Sequence, residues 1–111
     1  MAIDHAASGE VVDVRPLGDQ LTESISTALF KSDQLEVMRI VLRAKQVIPE
    51  HHIDGEMTIQ CIEGAVEVHA HGRAQVLEAG RLMRLEGHVP YELHAVENTS
   101  LLITMSMPGR D

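Results

Sequence analysis

Glu50, His51 and His52 put three groups able to bind a metal or move a proton side by side, and His88 and Tyr91 follow in a second short segment. Imidazole titrates nearest neutrality and is the commonest metal ligand. With carboxylate it suits iron, manganese, zinc or nickel. A His and a Tyr can also act as a base and acid pair. His51 and His52 are neighbours, so on an extended strand only one of them points inward. His88 precedes Tyr91 in a loop from which it could swing over the end of a barrel. Cys61 follows Met57 and Ile59 at period two, so the three share one face, and a thiol between Ile residues reads as core. No His stands beside Cys61 to make it a nucleophile. His69 and His71 flank a hairpin and alternate with Val68 and Ala70, which puts them on the surface. His94, three residues beyond Tyr91, falls on the opposite face, and His5 sits in the N-terminal tail with no assigned role.

The elements that must hold these groups are short. Residues 1–9 read as a flexible tail, followed by one domain over residues 10–111. Val11–Val14 is a first strand candidate, closed by Pro16 and Gly18. Asp19–Ser24 is a helical turn. Further runs fall at Ser26–Lys31, Leu35–Arg43, Val47–His51, Met57–Ile62, Ala65–Ala70, Gln75–Leu77, Leu82–Leu85, Tyr91–Val96 and Leu101–Met107. Pro49 disfavours helix around it. Asp54-Gly55, Glu63-Gly64, His71-Gly72-Arg73 and Ala79-Gly80 supply turn chemistry between the runs. Even spacing of short strands predicts an all-β sandwich or jelly-roll barrel of antiparallel strands.

At 111 residues the chain holds one core, and its single Tyr, single Phe and absent Trp leave that core to aliphatic side chains and Met. A net charge of −8 makes nucleic acid and anionic membranes poor partners. The lone Cys61 excludes an internal disulfide. Residues 1–20 lack an apolar run of signal-peptide type, and no stretch approaches a membrane span, so a cytoplasmic protein is expected.

The spacing resembles the cupin superfamily, the RmlC-like jelly rolls, over residues 35–107. The family's first motif runs Gly, five residues, His-x-His, three or four residues, Glu, six residues, Gly. Its frame falls here on Lys45, His51, Ile53, Met57 and Gly64. The second motif's frame falls on Gly80, Glu86, His88, Tyr91 and Ala95, after the intervening residues 65–79. Ile48-Pro49-Glu50-His51 matches the usual lead-in, which favours His51 as the inward histidine. In the alternative register the frame is Glu50, His52 and Met57. The resemblance implies an RmlC-like cupin jelly-roll barrel. It also implies a site at His51, Ile53, Met57 and Tyr91, where the family places three His and a Glu. Only His51 is an ordinary ligand there, since Ile53 has no donor and Met57 prefers soft ions.

Two principal functions follow. One is a small-molecule-binding barrel with a pocket of Met38, Ile40, His51, Ile53, Met57, Ile59, Cys61 and Tyr91, in which His51 and Tyr91 orient the ligand. The other is a metal-dependent dioxygenase or isomerase, with one divalent transition metal (Zn, Fe, Mn or Ni) held by His51, His52, His88 and Tyr91. A metal-free isomerase using His51 and Tyr91, and a barrel with no catalysis, stay open beside them. The segment Glu10–Lys31 has no place in a minimal cupin core, which predicts a homodimer in which it covers a sheet edge of a second copy.

Overall fold

Nine antiparallel strands and one short 3-10 helix, Gly18–Glu23, make up the computed structural model, which describes residues 5–108. The strands are β1 (Thr27–Lys31), β2 (Leu35–Leu42), β3 (Val47–His51), β4 (Met57–Glu63), β5 (Ala65–Ala70), β6 (Arg73–Glu78), β7 (Leu82–Leu85), β8 (Tyr91–Ala95) and β9 (Thr99–Ser106). They form two sheets, of order β1-β2-β9-β4-β7 and β3-β8-β5-β6. Residues 1–4 of the expected tail, and residues 109–111, lie outside the described residues. No helix among the described residues is long and apolar enough to cross a membrane.

Strict alternation explains the packing. In β4, Met57, Ile59 and Cys61 are buried while Thr58 and Gln60 are not. In β8, Tyr91, Leu93 and Ala95 are buried and Glu92 and His94 point the other way. Opposite them, Leu101 and Ile103 of β9 lie between Ile40 and Met38 of β2 on one side and Cys61 and Ile59 of β4 on the other. The two inward rows meet as a single apolar core from Leu42 and Leu101 through Val66, Val68 and Leu93.

Three expectations change. Val11–Val14 is not a strand: Asp13 folds back onto Arg15, accepting from its backbone and guanidinium N–H groups, and Val11 is 97% exposed. The Arg15 guanidinium holds the Asp13 carboxyl down to about 2. The carbonyls of Asp13 and Arg15 instead accept from the buried Arg39 guanidinium at 3.3 and 3.0 Å, so this segment covers the outer face of β2. Second, Thr27–Lys31 has a place within the chain's own sheet, paired with β2. Third, the last strand starts at Thr99 rather than Leu101. Thr99 and Ser100 are fully buried because their hydroxyls donate to the Ala65 carbonyl at 2.9 Å and to Glu63 Oε1 at 2.8 Å.

Glu63 ties the N-terminal segment to the barrel. Its carboxylate accepts from the Leu17 and Gly18 N–H groups at 2.6 and 3.1 Å. Burial opposes its ionisation, but these donors, the Ser100 hydroxyl and the charge of Arg39 outweigh it, and the carboxyl titrates below its ordinary value. The contribution to stability is therefore present above the unfolded carboxyl value of about 4.3 and lost as pH falls through the lower folded value.

The β4–β5 turn needs glycine. Gly64 has φ +82, and a Cβ there would meet the Asn98 carbonyl and Thr99. Gly72, at φ +74 in the β5–β6 hairpin, faces open space. Gly72→Ala should cost about 1–2 kcal/mol, the strain of a left-handed backbone. Gly64→Ala should cost about 3 kcal/mol or more, since the clash adds to the strain. Urea denaturation of the two variants checks this, and equal losses would show that the close approach has no energetic weight.

Candidate functional site

One end of the barrel carries a polar pair. His51 is the last residue of β3 and Tyr91 the first of β8, and they face each other after an irregularity between Ile48 and His51. Pro49 sits in that irregularity, where a residue without an N–H is tolerated. The Pro49 carbonyl lies 3.1 Å from His51 Nδ1. A carbonyl only accepts, so Nδ1 carries the proton and Nε2 is left as acceptor. Tyr91 is 4% exposed, and its hydroxyl donates to His51 Nε2 at 2.9 Å, with ring centroids 4.5 Å apart. Burial raises the Tyr91 pKa, which keeps the phenol a donor. The result is an imidazole held at both ring nitrogens, with an outer face exposed to solvent.

The other pocket residues named from sequence are distributed differently. Met57, Ile59 and Cys61 are fully enclosed in the core, and Ile40 and Ile53 pack against it half-buried. Met38 is half-buried opposite Ile103. Only His51 and Tyr91 bring polar atoms together in this set. The Cys61 thiol lies 3.4 Å from the Glu63 carbonyl, to which it donates. Burial, with the Glu97 charge, pushes its pKa up to about 11.

The four residues considered for metal fall into two pairs. His51 turns to Tyr91, whereas His52 turns to His88, with ring centroids 6.0 Å apart. Asp54 joins the second pair, and donor atoms of His52, Asp54 and His88 lie within 4.8 Å of one another on the exposed surface. Backbone contacts hold the two loops together. The His88 N–H donates to the Ile53 carbonyl at 2.8 Å, and a Cβ on Gly87 would meet the Asp54 carbonyl. A metal at the inner positions does not fit this chain. Tyr91 occupies His51 Nε2, and Ile53 and Met57 offer neither nitrogen nor oxygen. The set His52, Asp54 and His88 has the right donor types. Sequence spacing did not single out Asp54, because Asp54-Gly55 reads equally as a plain turn.

A cleft of about 350 Å³ runs between β5–β6 of one sheet and β7 of the other. Val68, Leu77 and Met83 contribute apolar surface, and Arg73, Arg81 and Arg84 ring it. Arg84 pairs with Glu56, while Arg73 and Arg81 make no ion pair among the described residues. Ala70, which also lines the cleft, sits across from Tyr91 in the β5–β8 register. His51 and Tyr91 themselves do not line the cleft. These arginines escaped sequence reading, being spread over two strands and a turn in an acidic chain.

No protein-family model matches the sequence, and no curated protein matches it by sequence. Solved structures do match in fold. A conserved protein of unknown function from Streptococcus pyogenes aligns with a TM-score of 0.76 at 19% identity, covering 99% of this chain and 97% of that one. A cupin superfamily protein from Desulfitobacterium hafniense gives 0.75 at 13% identity, over 88% and 95% of the two chains. A salicylate 1,2-dioxygenase from Pseudaminobacter salicylatoxidans gives 0.66 at 21% identity, over 72% of this chain and 25% of that one. The fold is the cupin, RmlC-like jelly roll expected from the two motifs.

Cys61 gives a direct check on the enclosed interior. In native protein at neutral pH it should resist alkylation by thiol reagents for hours and react fully once the chain is unfolded in guanidinium. Rapid modification of the folded protein, followed by mass spectrometry, would place the thiol at an accessible site instead.

Proposed function

We propose that this cupin-fold barrel binds a small organic anion, with the His51–Tyr91 pair and the arginine-ringed cleft as the recognition elements. The carrying observation is the cleft edged by Arg73 and Arg81, with the Tyr91 hydroxyl on His51 as a second polar element one strand beyond its Ala70 lining. A carboxylate suits such a place: guanidinium groups hold it in a fork, and a hydroxyl and imidazole orient the neighbouring polar atoms. Two arginines with no acidic partner among the described residues, in a chain of net charge −8, favour an anionic ligand at this point over the rest of the surface. The salicylate 1,2-dioxygenase among the structural neighbours supports a small-molecule site in this architecture. The proposal includes a homodimer. β1 and β7 end one sheet and β3 and β6 the other, and an open edge favours pairing with a second copy.

A second reading is a metal-dependent enzyme, favoured by the convergence of His52, Asp54 and His88. These residues would hold the ion, and the ion would supply Lewis-acid chemistry to a bound molecule. Within that reading Tyr91 still donates its hydrogen bond and His51 still accepts it.

Titration of the protein with a panel of small mono- and dicarboxylates, followed by amide chemical shifts, tests the first reading. The shifts should concentrate at Ala70, Arg81 and Tyr91. Tyr91→Phe and Arg81→Ala should each weaken binding by about 1–3 kcal/mol, the cost of leaving a buried or charged partner unmatched. Shifts confined to His52, Asp54 and His88, and then only with a divalent metal present, would move the function to the second reading.

A further inference from the structure

We propose that the outer face of the four-stranded sheet carries a zinc-type metal site built from Glu67, His69 and His94, with Glu92 holding His94. The site lies on the opposite face from the core and shares no residue with the His51–Tyr91 pair or the His52–Asp54–His88 loops. It comes from register. Glu67 of β5 stands across from His94 of β8, and His69 across from Glu92. The four side chains thus make a checkerboard of two imidazoles and two carboxylates across adjacent strands, on the face away from Val66, Val68 and Leu93.

The geometry is close to what an ion requires. One donor atom each from Glu67, His69 and His94 lies within 4.8 Å of the others, and all three side chains are half-buried. The imidazoles are stacked, with centroids 4.3 Å apart and planes at 23°. Zinc bonds of about 2.0–2.2 Å place tetrahedral donors roughly 3.4 Å apart, so small side-chain rotations on a rigid sheet would close the set. Each histidine is already steered by a carboxylate two residues away: His69 Nε2 lies 2.6 Å from Glu67 Oε1, and His94 Nε2 bonds to Glu92. A carboxylate on one ring nitrogen orients an imidazole whose other nitrogen binds metal, the part assigned here to Glu92.

The surroundings favour a cation. Across the sheet the row reads Val47, His94, Glu67, Val76, and the next reads Glu92, His69, Ala74. Neither row holds a Lys or Arg to neutralise the carboxylates. Mixed imidazole and carboxylate donors select zinc, nickel or cobalt over calcium and magnesium, which take oxygen alone. Three protein donors leave one position for water or for a donor from another molecule. Bound there, the ion would tie β5 to β8 from the solvent side.

The test uses untagged full-length protein and zinc ion, in competition with a chromophoric chelator. One background variant, His52→Ala with His88→Ala, removes the loop cluster. That variant should still bind one zinc per chain, and zinc should raise its melting temperature by several degrees. Placed in this background, His69→Gln and His94→Gln should each weaken zinc more than about 100-fold, and Glu92→Gln about 10–100-fold, the loss typical of an outer-shell partner. Circular dichroism confirms folding, and if one variant fails to fold the other two still decide. Zinc binding that is absent in the loop-cluster variant, or indifferent to His69→Gln and Glu92→Gln, overturns the proposal.

Discussion

The structure depends on one constraint: β9 is paired on both sides, and its Leu101 and Ile103 must keep their apolar side chains inward. Leu101 and Ile103 lie between β2 and β4 and face the other sheet across the core. Every strand that packs against them must keep a two-residue period in phase, because a slip of one residue would turn the whole apolar row to solvent. The phase of β8 follows from this. Leu93 and Ala95 face in, Tyr91 must face in with them, and Glu92 and His94 must face out.

From that phase come both polar arrangements. Tyr91 is the one inward residue of β8 with a polar end, and it lies where β3 ends at His51. The irregularity at Pro49 gives β3 the local freedom to present His51 to the hydroxyl. Glu92 and His94, turned outward, meet Glu67 and His69, which β5 turns outward for the same reason. The barrel separates its histidines by the parity of their positions, and their nearness in sequence counts for little: His51 and His52 are adjacent yet belong to different groups.

Much of the fold was legible in the sequence because turns and alternation are local. Asp54-Gly55, Glu63-Gly64 and His71-Gly72 all mark real turns, and the shared inward face of Met57, Ile59 and Cys61 followed from period two alone. Val11–Val14 misled because its β-branched composition is local, whereas a strand needs a neighbour, and the Asp13–Arg15 contact bends the chain away from one. The start of β9 was misplaced because Thr99 and Ser100 look like turn residues until their distant partners Ala65 and Glu63 are known. The pairing of His51 with Tyr91 could be expected from the motif frame. The groupings of His52 with Asp54 and His88, of Glu67 with His69 and His94, and of the arginines around the cleft depend on register between strands, which a single sequence does not carry.

The polar end of the barrel turns on His51, held between the Pro49 carbonyl and the Tyr91 hydroxyl. Long-range nitrogen–proton correlation spectra of the histidine rings, recorded above neutral pH, read the tautomer directly. The expected result is a protonated Nδ1 and an unprotonated Nε2 for His51, with a Tyr91 hydroxyl proton slow enough in exchange to be observed. A His51 ring protonated on Nε2, or averaging freely between tautomers with no observable Tyr91 hydroxyl, would contradict it.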